Sequence, residues 1–207
     1  MANTGSSGTI WNVPNRLSVA RLVLAILVFI FMPLGMFWAA IVAFLIAAGT
    51  DWLDGWWARK YDQVTQLGRI LDPFCDKFLI CGTFILLAVA MQNFPWYASV
   101  AGWMAVVIVA RELLVTALRS FIENAGGDFS AKMAGKLKMW FQCIAAVACL
   151  IALAMVGTEP QTADAAKVPS WLNITIIVSV WLAILSTLYS GYGYVVSAAK
   201  SIDLGAR

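Results

Sequence analysis

The chain contains no histidine. That removes imidazole from each role it usually fills: general base, phosphohistidine intermediate and metal ligand. Any catalysis must then rest on carboxylates, lysine, arginine or hydroxyls. Charge is scarce too, at 12% of 207 residues, while 62% are hydrophobic. A soluble domain of this length needs a more polar surface. Cysteine is present without a framework: Cys75, Cys81, Cys143 and Cys149 form no CxxC pair and lie in apolar stretches. They read as helix-packing residues rather than a disulfide or metal cage. The opening MANTGSSGTIWNVPN lacks the basic segment and apolar run of a cleavable signal, so the first membrane helix is expected to serve as its own address.

What the chain does have is long apolar runs. They predict an all-α, polytopic membrane protein with six transmembrane helices, over residues 16–33, 37–59, 68–91, 97–122, 136–156 and 171–199. Each comes near the roughly 20 residues that cross a bilayer core. Residues 9–18 suit a short N-terminal interfacial helix. One membrane domain over residues 1–207 is expected. Basic residues gather at one set of helix ends, among them Arg16, Arg21, Arg59, Lys60, Arg69, Lys77, Arg119, Lys132, Lys136, Lys138, Lys200 and Arg207. The other set of loops holds only Lys167. This bias predicts both termini on the cytoplasmic side. Trp38, Trp96, Tyr97 and Trp171 fall near the proposed outer ends, where interfacial aromatics sit.

The chemically informative stretch is DWLDGWWARKYDQVTQLGRILDPFCD, from Asp51 to Asp76. Carboxylates at the ends of membrane helices are costly and usually mark function. Asp51 and Asp54 are three apart, Asp72 and Asp76 four apart, so each pair shares a helix face. A short turn over residues 61–66 makes the two helices antiparallel neighbours and lets the four carboxylates converge at the cytoplasmic edge. Such convergence calls for a hard divalent cation, and Mg²⁺ or Mn²⁺ prefers all-oxygen ligands. Gly55 and Ala58 are small enough for a nucleotide to approach the helix backbone. Arg59 suits phosphate, Thr65 offers a hydroxyl, and Gly68 permits close packing at the start of the third span.

Together, Asp51, Asp54, Gly55, Ala58, Arg59, Gly68, Asp72 and Asp76 resemble the signature of the CDP-alcohol phosphatidyltransferases, eight specified residues over 26 positions. The six-span reading is similar to that family's architecture along nearly the whole chain. The resemblance implies that Asp51, Asp54, Asp72 and Asp76 hold two Mg²⁺ or Mn²⁺ ions. It implies that Asp76 also takes the proton from the acceptor hydroxyl, which attacks the β-phosphorus of CDP-diacylglycerol and releases CMP. Gly55, Arg59, Thr65 and Gly68 are then the cytidine-diphosphate contacts, with Asn15 as a further candidate. It also implies a homodimer, for which Ala39, Ala40, Ala43, Ala47, Ala48 and Gly49 offer a small-residue face.

The acceptor has to be read elsewhere. Arg111, Arg119, Lys136 and Lys138 are the candidates for gripping an acceptor phosphate, and Arg111 is expensive inside a span. Glu112 points about 100° away around the helix and is expected to pair elsewhere. Four pieces resemble the glycerol-3-phosphate branch of the family: Pro14, Asn15, Leu17, Ser18 and Arg21; Leu71, Asp72, Pro73, Asp76 and Lys77; Ala110, Arg111 and Glu112 with Ala117, Leu118 and Arg119; and Gly135, Lys136 and Lys138 with Gln142. The sequence departs from that branch at Met139 and Trp140, where threonine is frequent. The expected reaction joins CDP-diacylglycerol to sn-glycerol 3-phosphate at the inner membrane, with the active site facing the cytoplasm. Serine, inositol or its phosphate, and phosphatidylglycerol stay open as acceptors, and a divalent-cation transporter is the rival from another class.

Overall fold

The computed structural model describes residues 13–61, 66–124, 133–158 and 168–205, with side chains described over 16–50, 73–96, 98–120, 137–158, 168–196 and 198. Among these residues the chain is all-helical. The helices are α1 (Val13–Phe31), α2 (Phe37–Tyr61), α3 (Gln66–Ala90), α4 (Gly102–Asn124), α5 (Met133–Val156) and α6 (Ser170–Gly205). Three are long and apolar enough to cross a membrane: α3 over Pro73–Ala90, α5 over Leu137–Val156 and α6 over Ser170–Val196. The apolar part of α2, Phe37–Thr50, is shorter. With large apolar side chains such as Ile26, Leu45, Val106, Ile174 and Leu188 exposed around the helices, this is the surface of a membrane protein.

Most helix ends differ from expectation by a few residues, and three differences stand out. Residues 13–18 form the first turns of α1 rather than a separate interfacial helix, while residues 9–12 lie outside the described set. Pro14 is tolerated there because a first-turn residue needs no N–H donor, and no breaker follows it before α1 is under way. The fourth helix starts at Gly102, not at 97. Behind Pro95 the chain makes a 3-10 turn over Trp96–Ala98, and Ser99 is extended at φ −145° and ψ 168°. Finally, α6 runs 36 residues to Gly205, past the expected end at 199.

The contacts of the chain gather into two compact units, residues 1–80 and 81–207, and α3 supplies a segment to each. In the first unit α1 ends two residues before Pro33. Gly35 takes a left-handed φ of 72°, and the Met36 N–H returns to the Phe31 carbonyl at 2.9 Å. The chain thereby reverses and α2 packs along α1. Ala25 and Val28 of α1 and Ala40, Phe44 and Ala47 of α2 are fully buried. The alanines let the two backbones approach. So three members of the small-residue face expected to serve a homodimer, Ala40, Ala43 and Ala47, are buried within this chain. On α3, Phe78 meets Phe29 of α1 edge-on with centroids 5.1 Å apart.

The second unit is organised on α6, which packs against both α4 and α5. Its buried Leu172, Ile176, Val180 and Ile184 belong to the same core as Met104 and Ile108 of α4 and Leu150 and Leu153 of α5. Gly157 caps α5 at φ 79°, its N–H donating to the Leu153 carbonyl at 2.7 Å. The loop beyond it is tied back by Asn93, whose Nδ2 donates to the Thr158 carbonyl at 3.2 Å.

The small-residue packing of α1 on α2 generates a direct prediction. Ala40→Leu inserts three carbons where no space is left and is expected to destabilise by about 1–3 kcal/mol. Val42→Leu, on the exposed side of the same helix, is expected to stay within about 0.5 kcal/mol. Melting temperatures of the two variants in detergent check this.

Candidate active site

The aspartate pairs lie on helices as their spacing requires. Asp51 and Asp54 belong to the second half of α2, with Gly55, Ala58 and Arg59 following on the same helix. Gly68, Asp72 and Asp76 belong to the first half of α3. Pro73 withdraws one N–H from the α3 ladder beside Asp72, yet the helix continues through it. Asn15 sits in the first turn of α1. Thr65 lies outside the described residues, and so do the side chains of Asn15, Asp51, Asp54, Arg59 and Asp72. Among the described side chains no three of His, Cys, Asp or Glu come together, and three of the four aspartates are outside that set.

Asp76 is the aspartate whose side chain is described, and it has a partner the sequence did not suggest. Arg21 of α1 donates from Nη1 to Asp76 Oδ1 at 3.2 Å. The arginine side chain is 0% exposed, the aspartate 31%. One residue away, the Cys75 thiol donates to the Ser18 carbonyl at 3.4 Å, both residues being fully buried. Ser18 and Arg21 are three apart on α1, and Cys75 and Asp76 adjoin on α3. The two bonds therefore fix the register of α1 against the turn of α3 that carries Asp76. Reading Arg21 as one more topology-setting charge missed this. The signal was there: a cation two turns inside an apolar helix needs an anion.

A second polar group lies in the other unit. Arg111 and Glu112 on α4, Lys138 and Gln142 on α5, and Ser190 and Tyr194 on α6 are all buried in an otherwise apolar bundle. Arg111 Nη1 donates to Glu112 Oε1 and Oε2 at 3.2 and 3.4 Å, and Nη2 to Ser190 Oγ at 2.5 Å. The Tyr194 ring lies under the guanidinium, 5.5 Å from centroid to Cζ. The Lys138 ammonium donates to Glu112 Oε1. One turn along α5, Gln142 Nε2 donates to Thr187 Oγ1 at 3.3 Å. The expectation that Glu112 pairs away from Arg111 fails here. The Cα–Cβ vectors do diverge by one helical step, but the long arginine side chain reaches back across it.

Of the four acceptor-phosphate candidates, then, Arg111 and Lys138 are brought together, by one shared carboxylate. Arg119 stands two turns further along α4 with an exposed side chain, and the side chain of Lys136 lies outside the described set. Among the described residues two basic side chains face one carboxylate, an excess of one positive charge when all three are ionised. Arg111 Nε is also buried with no hydrogen-bond partner among the described residues. Buried excess charge and an unused charged donor are expensive unless a ligand answers them.

The matches to known proteins agree with this chemistry. Residues 11–196 match the family model described as CDP-alcohol phosphatidyltransferase. The chain belongs to the CDP-alcohol phosphatidyltransferase family. It is similar to the CDP-diacylglycerol–glycerol-3-phosphate 3-phosphatidyltransferase of Bacillus subtilis, at 32% identity over 89% of this chain and 93% of that protein. Proteins of the same name from Salmonella choleraesuis and Escherichia coli K12 are 30% and 29% identical, over 92% of this chain and 96% of each.

Room for Arg111 depends on α6. A Cβ at Gly191 would stand 3.2 Å from Arg111 Cγ, whereas one at Gly193 meets nothing within 4 Å. Both substitutions to alanine gain about 1 kcal/mol of helix propensity. Gly193→Ala is expected to keep that gain, while Gly191→Ala gives it back by displacing Arg111. The Gly191 variant should melt below the Gly193 variant, and equal melting temperatures would show that Arg111 yields freely.

Proposed function

We propose that this protein transfers a phosphatidyl group from CDP-diacylglycerol to sn-glycerol 3-phosphate, giving phosphatidylglycerophosphate and CMP. The observation that carries the reading is the pairing of Asp51 with Asp54 on α2 and of Asp72 with Asp76 on α3, in a chain of this family that is similar over most of its length to enzymes named for that reaction. The family match across residues 11–196 supports one functional phosphatidyltransferase domain.

In the proposed chemistry the Asp76 carboxylate takes the proton of the acceptor hydroxyl. The freed oxygen forms a bond to the β-phosphorus of CDP-diacylglycerol. The bond from that phosphorus to the bridging oxygen breaks, and CMP leaves with the electron pair. A base of this kind is worth about 10²–10⁴ in rate. Arg21 holds one oxygen of the carboxylate, which aims it. Asp51, Asp54, Asp72 and Asp76 form an all-oxygen donor set, the kind that suits hard cations. They would hold two Mg²⁺ or Mn²⁺ ions, whose charge offsets that of the pyrophosphate and the leaving CMP. Gly55, Arg59, Thr65, Gly68 and Asn15 are assigned to the cytidine diphosphate. Arg111 and Lys138, with Arg119 and Lys136, are assigned to the acceptor phosphate, and the buried excess of positive charge at Arg111 and Lys138 favours a phosphorylated acceptor over a neutral one.

The basic residues on one set of helix ends support a six-span arrangement with termini and active site cytoplasmic, as in a bacterial inner membrane. A homodimer fits the family reading, built on surfaces other than Ala40, Ala43 and Ala47.

The test is a product assay with purified protein in detergent, CDP-diacylglycerol, Mn²⁺ and labelled glycerol 3-phosphate, with serine and inositol in parallel. Phosphatidylglycerophosphate and CMP in equal amounts are expected, with activity lost on chelation. Asp76→Asn is expected to lower turnover by about 10²–10⁴ without lowering the melting temperature in proportion. Full activity in that variant would remove Asp76 as the base. Product from serine or inositol alone would keep the chemistry and change the acceptor.

A further inference from the structure

The family reading assigns work to the two buried cations and none to the carboxylate between them. Glu112 is 5% exposed, and it accepts from Arg111 on its own helix and from Lys138 on α5. We infer that Glu112 is a positioning residue for the acceptor, a buried carboxylate that holds the Arg111 guanidinium and the Lys138 ammonium at one place so that a phosphomonoester meets two preset donors. The inference rests on the proposal that Arg111 and Lys138 bind the acceptor phosphate, and it assigns Glu112 no contact with that phosphate.

Three observations carry it. First, the two cations are held unequally. Arg111 is fixed on several sides, by Ser190, by the Tyr194 ring and by the space that Gly191 leaves for its Cγ. Lys138 has a flexible four-carbon stem, and the hydrogen bond recorded for its ammonium goes to Glu112. Holding such a stem in one rotamer opposes its side-chain entropy, which a charged hydrogen bond can offset. Second, two cations sharing a carboxylate in an apolar bundle repel strongly once it is gone, because the local dielectric is low. Glu112 offsets that repulsion and lets the two stay close. Third, among the described residues the balance is incomplete: one carboxylate answers two cations, and Arg111 Nε stays without a hydrogen-bond partner. A second carboxylate there would close the site to anions. None would scatter the donors. One leaves room for a phosphate.

A staple and a positioning residue both sit between helices, and kinetics separates them. Glu112→Gln keeps the shape and removes the charge. The expected result is a glycerol 3-phosphate KM raised about tenfold, kcat within about threefold, and the CDP-diacylglycerol KM within about twofold. The inhibition constant for inorganic phosphate against glycerol 3-phosphate should rise in parallel. In a cycle with Lys138→Met the effects on the glycerol 3-phosphate KM should be clearly non-additive, because Glu112 acts through that lysine. Additive effects overturn the inference. So does an unchanged glycerol 3-phosphate KM, or equal damage to both substrates with a fallen melting temperature, which is the mark of a staple. If Glu112→Gln does not fold, Glu112→Asp is measured instead, with the same split expected at smaller size and the same outcomes overturning it. If Arg111→Gln and Lys138→Met both leave the glycerol 3-phosphate KM unchanged, the acceptor assignment itself falls. If those two raise it and Glu112→Gln does not, only the present inference falls.

Discussion

A charged side chain inside an apolar helical bundle must be answered on the spot, because no water is there to answer it. That constraint shapes both units of this chain. In the second, Glu112 answers Arg111 and Lys138, and α6 contributes Ser190 and Tyr194 to the same guanidinium. Three helices are thus tied at one polar place. Gly191 is explained by it, since a larger residue would press on Arg111. The pairing of Gln142 with Thr187 one turn along repeats the α5–α6 tie with neutral partners. Polar side chains in the bundle therefore have neighbours chosen for them, and the packing of α4, α5 and α6 follows those choices as much as it follows the apolar core.

The first unit solves the same problem with a different residue count. Arg21 is fully buried and Asp76 is half-open, so the pair is lopsided. Its worth to stability is limited, because the exposed partner stays solvated and screens the attraction. What the pair does well is fix geometry. Together with the Cys75–Ser18 bond it sets α1 against α3 at the turn that bears Asp76. An arginine suits that task better than a lysine, since its planar fork gives up less freedom per hydrogen bond.

Much of this was legible in the sequence, and the parts that were not share a cause. Apolar runs located all six helices, and the start of α2 at Phe37 and the end of α5 at Val156 matched residue for residue. The aspartate spacing was readable because i, i+3 and i, i+4 are local relations, and α2 and α3 supply the helices those relations need. What failed was non-local or depended on side-chain reach. Arg21 looked like a topology signal because its partner is 55 residues away. Glu112 was turned away from Arg111 because a helical wheel tracks Cβ directions, not the end of a six-atom side chain. Ser190 and Tyr194 gave no signal, being ordinary polar residues on a long apolar helix. Ala40, Ala43 and Ala47 read as an outward packing face, and only the fold shows that α1 takes it. Tyr97 to Ser99 read as the start of a helix, although Pro95 sets the chain on a different course.

The two buried arginines also differ in what they leave over. Among the described residues Arg21 faces the Asp76 carboxylate, a pairing of one cation with one anion. Arg111 shares its carboxylate with Lys138, and among the described residues the group keeps an excess cation. Burial of an excess charge works against folding, so a sequence selected for stability alone would replace Lys138 with an apolar residue and keep a neutral Arg111–Glu112 pair. Keeping the lysine makes sense where an anion arrives to share the charge. A phosphomonoester carries close to two negative charges at neutral pH and offers several acceptor oxygens. It would more than offset the excess and give Arg111 Nε an acceptor. A neutral alcohol such as inositol does neither, and serine, with a cation beside its carboxylate, brings no net charge. The polar cluster of the second unit thus argues for a phosphorylated acceptor on electrostatic grounds, apart from any likeness to named enzymes.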